Sequence, residues 1–256
     1  MRQILIIAQN TIKALIRKKD FYVFLMVLIM LMFFLNLQNF YDIQDISRFI
    51  KELGFSCLWI SSLILAVIFT AKQLPEEIKS KTIYPLLSKP VTRLHIVLGR
   101  YLGSLFALTI AFSTFYFFYI LMSLIKGEGI GFVLIVQQYI LGILFLGLVC
   151  AIALFFSLIM TYAAAVVSSF ILYFSIILLA DSLRTLMLHI QPPFNWGTHI
   201  LYYLIPHYEF YNISGRMIHG WQALPFWAFF AIVVYTIIYV YIMLYFCYLI
   251  IRKKIL

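Results

Sequence analysis

Side chains able to make specific charged contacts are concentrated in one stretch, residues 72–100, which reads KQLPEEIKSKTIYPLLSKPVTRLHIVLGR. It carries six Lys or Arg, two Glu and one His. Glu76 and Glu77, followed by Lys79, Lys81 and Arg93, offer opposite charges at close spacing, which suits docking against a protein surface. A second set is soft. Met187 with His189 and Met217 with His219 form two Met-x-His pairs, and thioether plus imidazole is a donor set that copper accepts. The spacing of these pairs is irregular and no cysteine joins them. His189 and His219 are therefore the weak metal candidates, and interfacial packing is their default role.

The patterns of a catalyst are missing. No Gly-x-x-x-x-Gly-Lys-Ser/Thr loop occurs, so nucleotide has no P-loop here. Gly127-Glu128-Gly129-Ile130-Gly131 has alternating glycines without the rest of a dinucleotide fingerprint and reads as a turn. Neither His-Glu-x-x-His nor Gly-x-Ser-x-Gly is present, leaving zinc proteolysis and serine hydrolysis without support. The expectation is a chain that is not an enzyme and holds no cofactor of its own.

These residues must be positioned by an oily scaffold. The chain is 65% hydrophobic, 18% aromatic and 11% charged. A soluble domain typically carries about a quarter charged residues, so the fold class expected is an all-α integral membrane protein. At 256 residues it reads as a single polytopic transmembrane domain, 1–256. The net charge of +10 would point to nucleic acid in a soluble protein. In this setting it reflects charge bias across a membrane, with lipid rather than nucleic acid as the surrounding partner. Cys57, Cys150 and Cys247 all fall in apolar runs and read as small core hydrophobes.

A spanning helix needs about 20 mostly apolar residues. The uncharged runs give spans over 21–41, 53–71 and 101–125. Then 52 residues from Gly129 to Ala180 carry no charge. One helix of that length would reach roughly 78 Å, against a hydrocarbon core of ~30 Å. The run must fold back near Ser157–Ala163, giving spans over 131–157 and 163–180. A sixth, 222–251, stops at Arg252-Lys253-Lys254. Six spans put both termini on one side. With the termini inside, inner segments hold 14 Lys or Arg against 5 outside, which places termini and the 72–100 segment in the cytoplasm.

Residues 1–20 place Ile4, Leu5, Ala8, Ile12, Leu15 and Ile16 at helical spacing, with Gln9, Lys13 and Arg17 elsewhere. That pattern predicts an amphipathic helix in the membrane interface. It serves either as a basic anchor or as a docking element. Segment 181–221, rich in Tyr, Trp and Pro, predicts broken, re-entrant or interface-lying helices at the outer leaflet, acting as a gate or a structural lid. Mild polar residues within the spans, among them Ser62, Thr109, Ser113, Gln137, Gln138 and Ser157, predict bonds back to their own helix or between helices. The lack of charge in the spans disfavours an ion path.

Within 72–100, Pro75 followed by Glu76 and Glu77 reads as a helix start, because Pro suits the first turn and acids favour its dipole. A short helix would run to about Leu87, limited by Pro85. Ser88-Lys89-Pro90 breaks the chain, and Thr92 can cap a second helix, Arg93 to Arg100. The segment from Glu77 through Lys81-Thr82, Leu86-Leu87-Ser88-Lys89-Pro90 and Arg93 to Gly99-Arg100 resembles the permease subunits of type-2 ABC transporters. Those show an acid, Gly-Thr, Leu-Leu-Ser-x-Pro-x-x-Arg and a later Gly-Lys between their second and third spans. Lys81 stands where Gly is usual and Arg100 where Lys is common. Leu204-Ile205-Pro206-His207-Tyr208-Glu209-Phe210 is similar to the family's Leu-Pro-Asn-Phe pattern before the last span.

The resemblance implies a transport subunit with no ATPase of its own, working as a dimer of permeases with two separate ATPase subunits that hold ATP-Mg. Closure of those subunits would pass through the segment matching 76–93. Glu76, Glu77, Lys79, Lys81, Thr82, Ser88, Pro90 and Arg93 are the candidate coupling residues. The overall expectation is an exporter in a prokaryotic inner membrane, moving an amphipathic or lipid-like substrate. The alternatives are an intramembrane lipid-modifying enzyme, built on Asp181, Arg184, Glu209 and the outer histidines, or a non-transporting scaffold or immunity protein.

Overall fold

A computed structural model describes residues 2–17, 19–37, 44–79, 92–125, 131–189 and 205–254. The described residues form α1 (Arg2–Ile16), α2 (Lys19–Leu37), α3 (Gln44–Lys79), α4 (Arg93–Ile125), α5 (Phe132–Ile159), α6 (Tyr162–His189), a 3-10 turn (Tyr208–Tyr211), α7 (Ser214–Ile218) and α8 (Phe226–Lys254). The protein is all-α, and five described segments are long and apolar enough to cross a membrane: Lys51–Pro75, Arg93–Leu121, Phe132–Ile159, Tyr162–Ala180 and Phe226–Lys253. The first expected span, 21–41, corresponds to the 19-residue helix α2. α2 is not among those five, whereas the expected last span, 222–251, is, as Phe226–Lys253.

α5 is the hub. It is apolar on every face, the pattern of a helix enclosed by others, and its residues from Phe145 to Leu154 are buried. α3, α4, α6 and α8 all pack against it. Aromatic rings fill the joints: Trp59 of α3 stacks on Phe145 with centroids 4.3 Å apart, and Phe145 meets Tyr208 edge-on at 5.8 Å. The fold-back between α5 and α6 falls at Met160–Thr161, inside the expected window. Met160 turns to extended backbone, its N–H donating to Phe156 O. Thr161 then accepts the Ala165 N–H at 2.8 Å.

Four boundaries differ from the sequence reading. α3 begins at Gln44 and runs unbroken through Pro75 to Lys79, so residues 44–52 are helix rather than loop and no new helix starts at Pro75. Proline removes a backbone donor but does not forbid continuation. The burial of Ala71, Gln73 and Leu74 against neighbouring helices holds the helix through it. α6 continues past Ala180 to His189, taking in the start of the expected outer segment. The last helix starts at Phe226 and not at Gln222, because Pro225 suits the position just before a first turn and Leu224 is engaged elsewhere.

The intramembrane hydroxyls behave as glue. Ser62, Thr109 and Ser157 donate to carbonyls of their own helices at 2.7–2.8 Å, while Ser113 also meets Tyr139 Oη at 2.8 Å across to α5.

Candidate coupling site at the basic end of the bundle

α4 packs against both α3 and α8, and its head reaches the end of α8. Thr92 caps α4: its Oγ1 accepts the His95 N–H at 3.4 Å and its carbonyl accepts the Ile96 N–H at 3.3 Å. This satisfies donors that a helix start leaves free. The cap fixes Arg93 at the head of the helix. From there Arg93 Nη1 donates to Arg252 O, 2.9 Å away, in the last turn of α8. A cation on a terminal helical carbonyl is doubly favoured, by the orphan acceptor and by the helix dipole. Lys13, Arg17, Lys19, Arg252 and Lys253 are exposed, so charge of one sign lines the termini of several helices.

Of the other expected coupling residues, Glu76, Glu77 and Lys79 lie at the end of α3, one helix with the preceding span rather than a separate one. Lys81, Thr82, Ser88 and Pro90, like the expected helix to Leu87 and the Ser88-Lys89-Pro90 break, lie outside the described residues.

α1 packs along the start of α4, so the N-terminal helix has a protein face. That face is Ile7, Ala8, Thr11 and Leu15, all buried, whereas Leu5 and Ile6 are exposed. It is rotated from the apolar stripe expected from the sequence, because Thr11 belongs to the contact: Arg100 Nη1 donates to Thr11 Oγ1 at 2.9 Å. Sequence reasoning took Arg100 only as a family position. The clue available was Gly99-x-x-x-Gly103 flanking it, a spacing that lets helices approach closely.

At the opposite end, two adjacent amides fasten the segment before α8. Gln137 Nε2 donates to Leu224 O at 2.9 Å and its Oε1 accepts the Leu224 N–H at 3.0 Å. Gln138 Nε2 donates to Tyr211 O at 3.1 Å and its Oε1 accepts the Ile213 N–H at 2.8 Å. Tyr211 Oη lies 2.8 Å from Thr236 Oγ1, and Tyr235 Oη accepts the His207 N–H at 3.0 Å while donating to Ile205 O at 3.2 Å. Burial lowers the pKa of His207 below the ordinary histidine value, which favours the neutral ring. Gly220 takes a positive φ of 65° and lets the Trp221 N–H return to Arg216 O at 3.0 Å, closing α7 with the bond pattern of a Schellman motif. The segment over 205–225 is thus broken helix, wired to α5 and α8. Gln137 and Gln138 of α5, read from sequence as mild membrane-depth polar groups, carry much of that wiring.

His219 is exposed and stacks on Trp221 at 5.4 Å, while Met217 is buried and receives the Tyr116 hydroxyl at 4.0 Å. The side chain of His189 lies outside what is described. Among the described residues no three His, Cys, Asp or Glu side chains gather in a metal-holding group.

A comparison with curated proteins found no match. A family model described as ABC-2 family transporter protein matches residues 5–215. Together with the apolar helices, that match over most of the chain places this multi-pass membrane protein in the ABC-2 transporter family, as a permease subunit of an ABC transporter.

Proposed function

We propose that the chain is the membrane half of an ATP-driven exporter, moved by a separate ATPase that docks at the basic end through residues 76–93. The observation that carries this is the anchoring of Arg93. Its side chain ties the head of α4 to the end of α8, and the segment before it continues from α3. A partner pressing there bears on three membrane helices at once, which is what a two-state coupling joint requires. The chain has no P-loop of its own, so ATP-Mg belongs to the partner and the permease is not itself an enzyme.

Two permease copies, as a homodimer, would work with two ATPases. The charge split of 14 to 5 supports a cytoplasmic basic end, with both termini inside a prokaryotic inner membrane. An apolar cavity of about 270 Å³ between α4, α5 and α8, bordered by Tyr101, Leu105, Gly147, Thr236 and Val240, supports an amphipathic or lipid-like substrate over a bare ion.

Co-expression with a candidate P-loop ATPase, followed by purification into lipid nanodiscs, tests the reading. The expected result is a stable complex that hydrolyses ATP. Reversing charge with Glu77→Lys and Arg93→Glu together is expected to dissociate it or uncouple hydrolysis. A double variant that assembles and turns over like the wild type would remove the docking role of these residues.

A further inference from the structure

α1 meets α4 through backbone. A Cβ at Gly99 would stand 2.7 Å from Ile7 Cβ, and one at Gly103 would stand 2.5 Å from Thr11 Cβ and 2.8 Å from Ala8 O. Real side chains do not approach so closely, so only glycine permits this seat. Ala107, one turn further, is also buried. Ile7 faces Gly99 and Thr11 faces Gly103, so the contact advances four residues on each helix and the two run parallel. Between the glycines lies Arg100, 8% exposed, donating to Thr11 Oγ1, which in turn donates to Ile7 O at 2.9 Å.

A seam of long apolar side chains can slip, since each rotamer has neighbours of similar energy. This seam cannot slide without breaking a charge-assisted hydrogen bond in apolar surroundings and driving α1's side chains into α4's backbone. We infer that Thr11 and Arg100 are positioning residues that lock α1 to the head of α4, so that the two helices move as one body. Arg93 is seven residues before Arg100 on the same helix, so displacement imposed at the coupling site carries α1 with it. The consequence for ATP-driven motion rests on the proposed function; the lock itself does not.

Spin labels at Gln9→Cys on α1 and Phe106→Cys on α4, both exposed positions, report the seam by pulsed dipolar spectroscopy in nanodiscs. In the complex with its ATPase, the interlabel distance is expected to stay unchanged between nucleotide-free and ATP-vanadate states. Thr11→Val, nearly isosteric but without the hydroxyl, is expected to broaden the distance distribution and lower ATP turnover severalfold at unchanged KM for ATP. Thr11→Ser is expected to restore both. A distance that shifts with nucleotide in the wild type overturns the inference, as does a Thr11→Val protein with wild-type width and turnover. If no ATPase assembles, the proposed function fails by itself. The widths for Thr11→Val and Thr11→Ser in the permease alone then still decide the lock, equal widths overturning it.

Discussion

Gln138 shows how one side chain can replace a strand of hydrogen-bonding partners. Its amide presents a donor and an acceptor in the geometry of a peptide group, and Tyr211 O and Ile213 N–H fill both. All of these groups are buried, so removing the amide leaves backbone groups without partners at about 1–3 kcal/mol each. Gln138→Leu, close in size, is therefore expected to destabilise the protein by about 2–6 kcal/mol. The loss should appear as faster hydrogen exchange across 205–218 and a lower thermal midpoint in detergent. Wild-type exchange in that segment would show that the amide is not its fastener. The sequence displayed two adjacent glutamines early in an uncharged span, but nothing in it named their acceptors 73 and 87 residues away. Arg93 was picked out by resemblance as a candidate coupling residue, though its partner on α8 was not legible.

At the scale of the element, Pro75 separates two readings of the coupling region. As the first residue of a new helix, proline would be favourable, and replacing it with alanine would cost about 0.4–1 kcal/mol through the unfolded state. Inside α3, proline withdraws a hydrogen bond and strains the preceding turn, a penalty of up to about 3 kcal/mol against alanine. Pro75→Ala is expected to raise the thermal midpoint, and the sign of the change decides between the two positions. The same element teaches why local rules misplaced the boundary. Proline followed by two acids is a valid start signal, yet the burial of Ala71, Gln73 and Leu74 just before it outweighs that signal. Thr92, by contrast, was placed correctly as a cap, because capping depends on three or four consecutive residues and little else.

For the whole molecule, the helices divide into a basic end, where the head of α4 meets the end of α8, and an opposite end covered by the segment held on Gln137 and Gln138. Orientation follows from charge. With Cys57 replaced, Trp221→Cys is expected to react with a membrane-impermeant maleimide on intact cells, whereas Lys253→Cys should react only after permeabilisation. Both residues are exposed, and Cys150 and Cys247 are buried. The reverse labelling pattern would place the ATPase-docking end outside the cell and overturn the proposed mechanism. Fold class, five of the spans and the fold-back at Met160–Thr161 were readable because hydrocarbon thickness and backbone satisfaction constrain them locally.

By itself the sequence determined that this protein lives in a membrane, that it is helical, where charge must leave the bilayer, and which motif it shares with the ABC-2 family. Each of these depends on composition or on residues close along the chain. Only the tertiary structure decided that α3 passes through Pro75, that α1 turns Thr11 toward Arg100, and that Gln137 and Gln138 hold the segment before α8. Those outcomes depend on which surfaces meet. A buried polar group is bound to whichever partner packing delivers, and in an apolar bundle that partner can be any element in the chain.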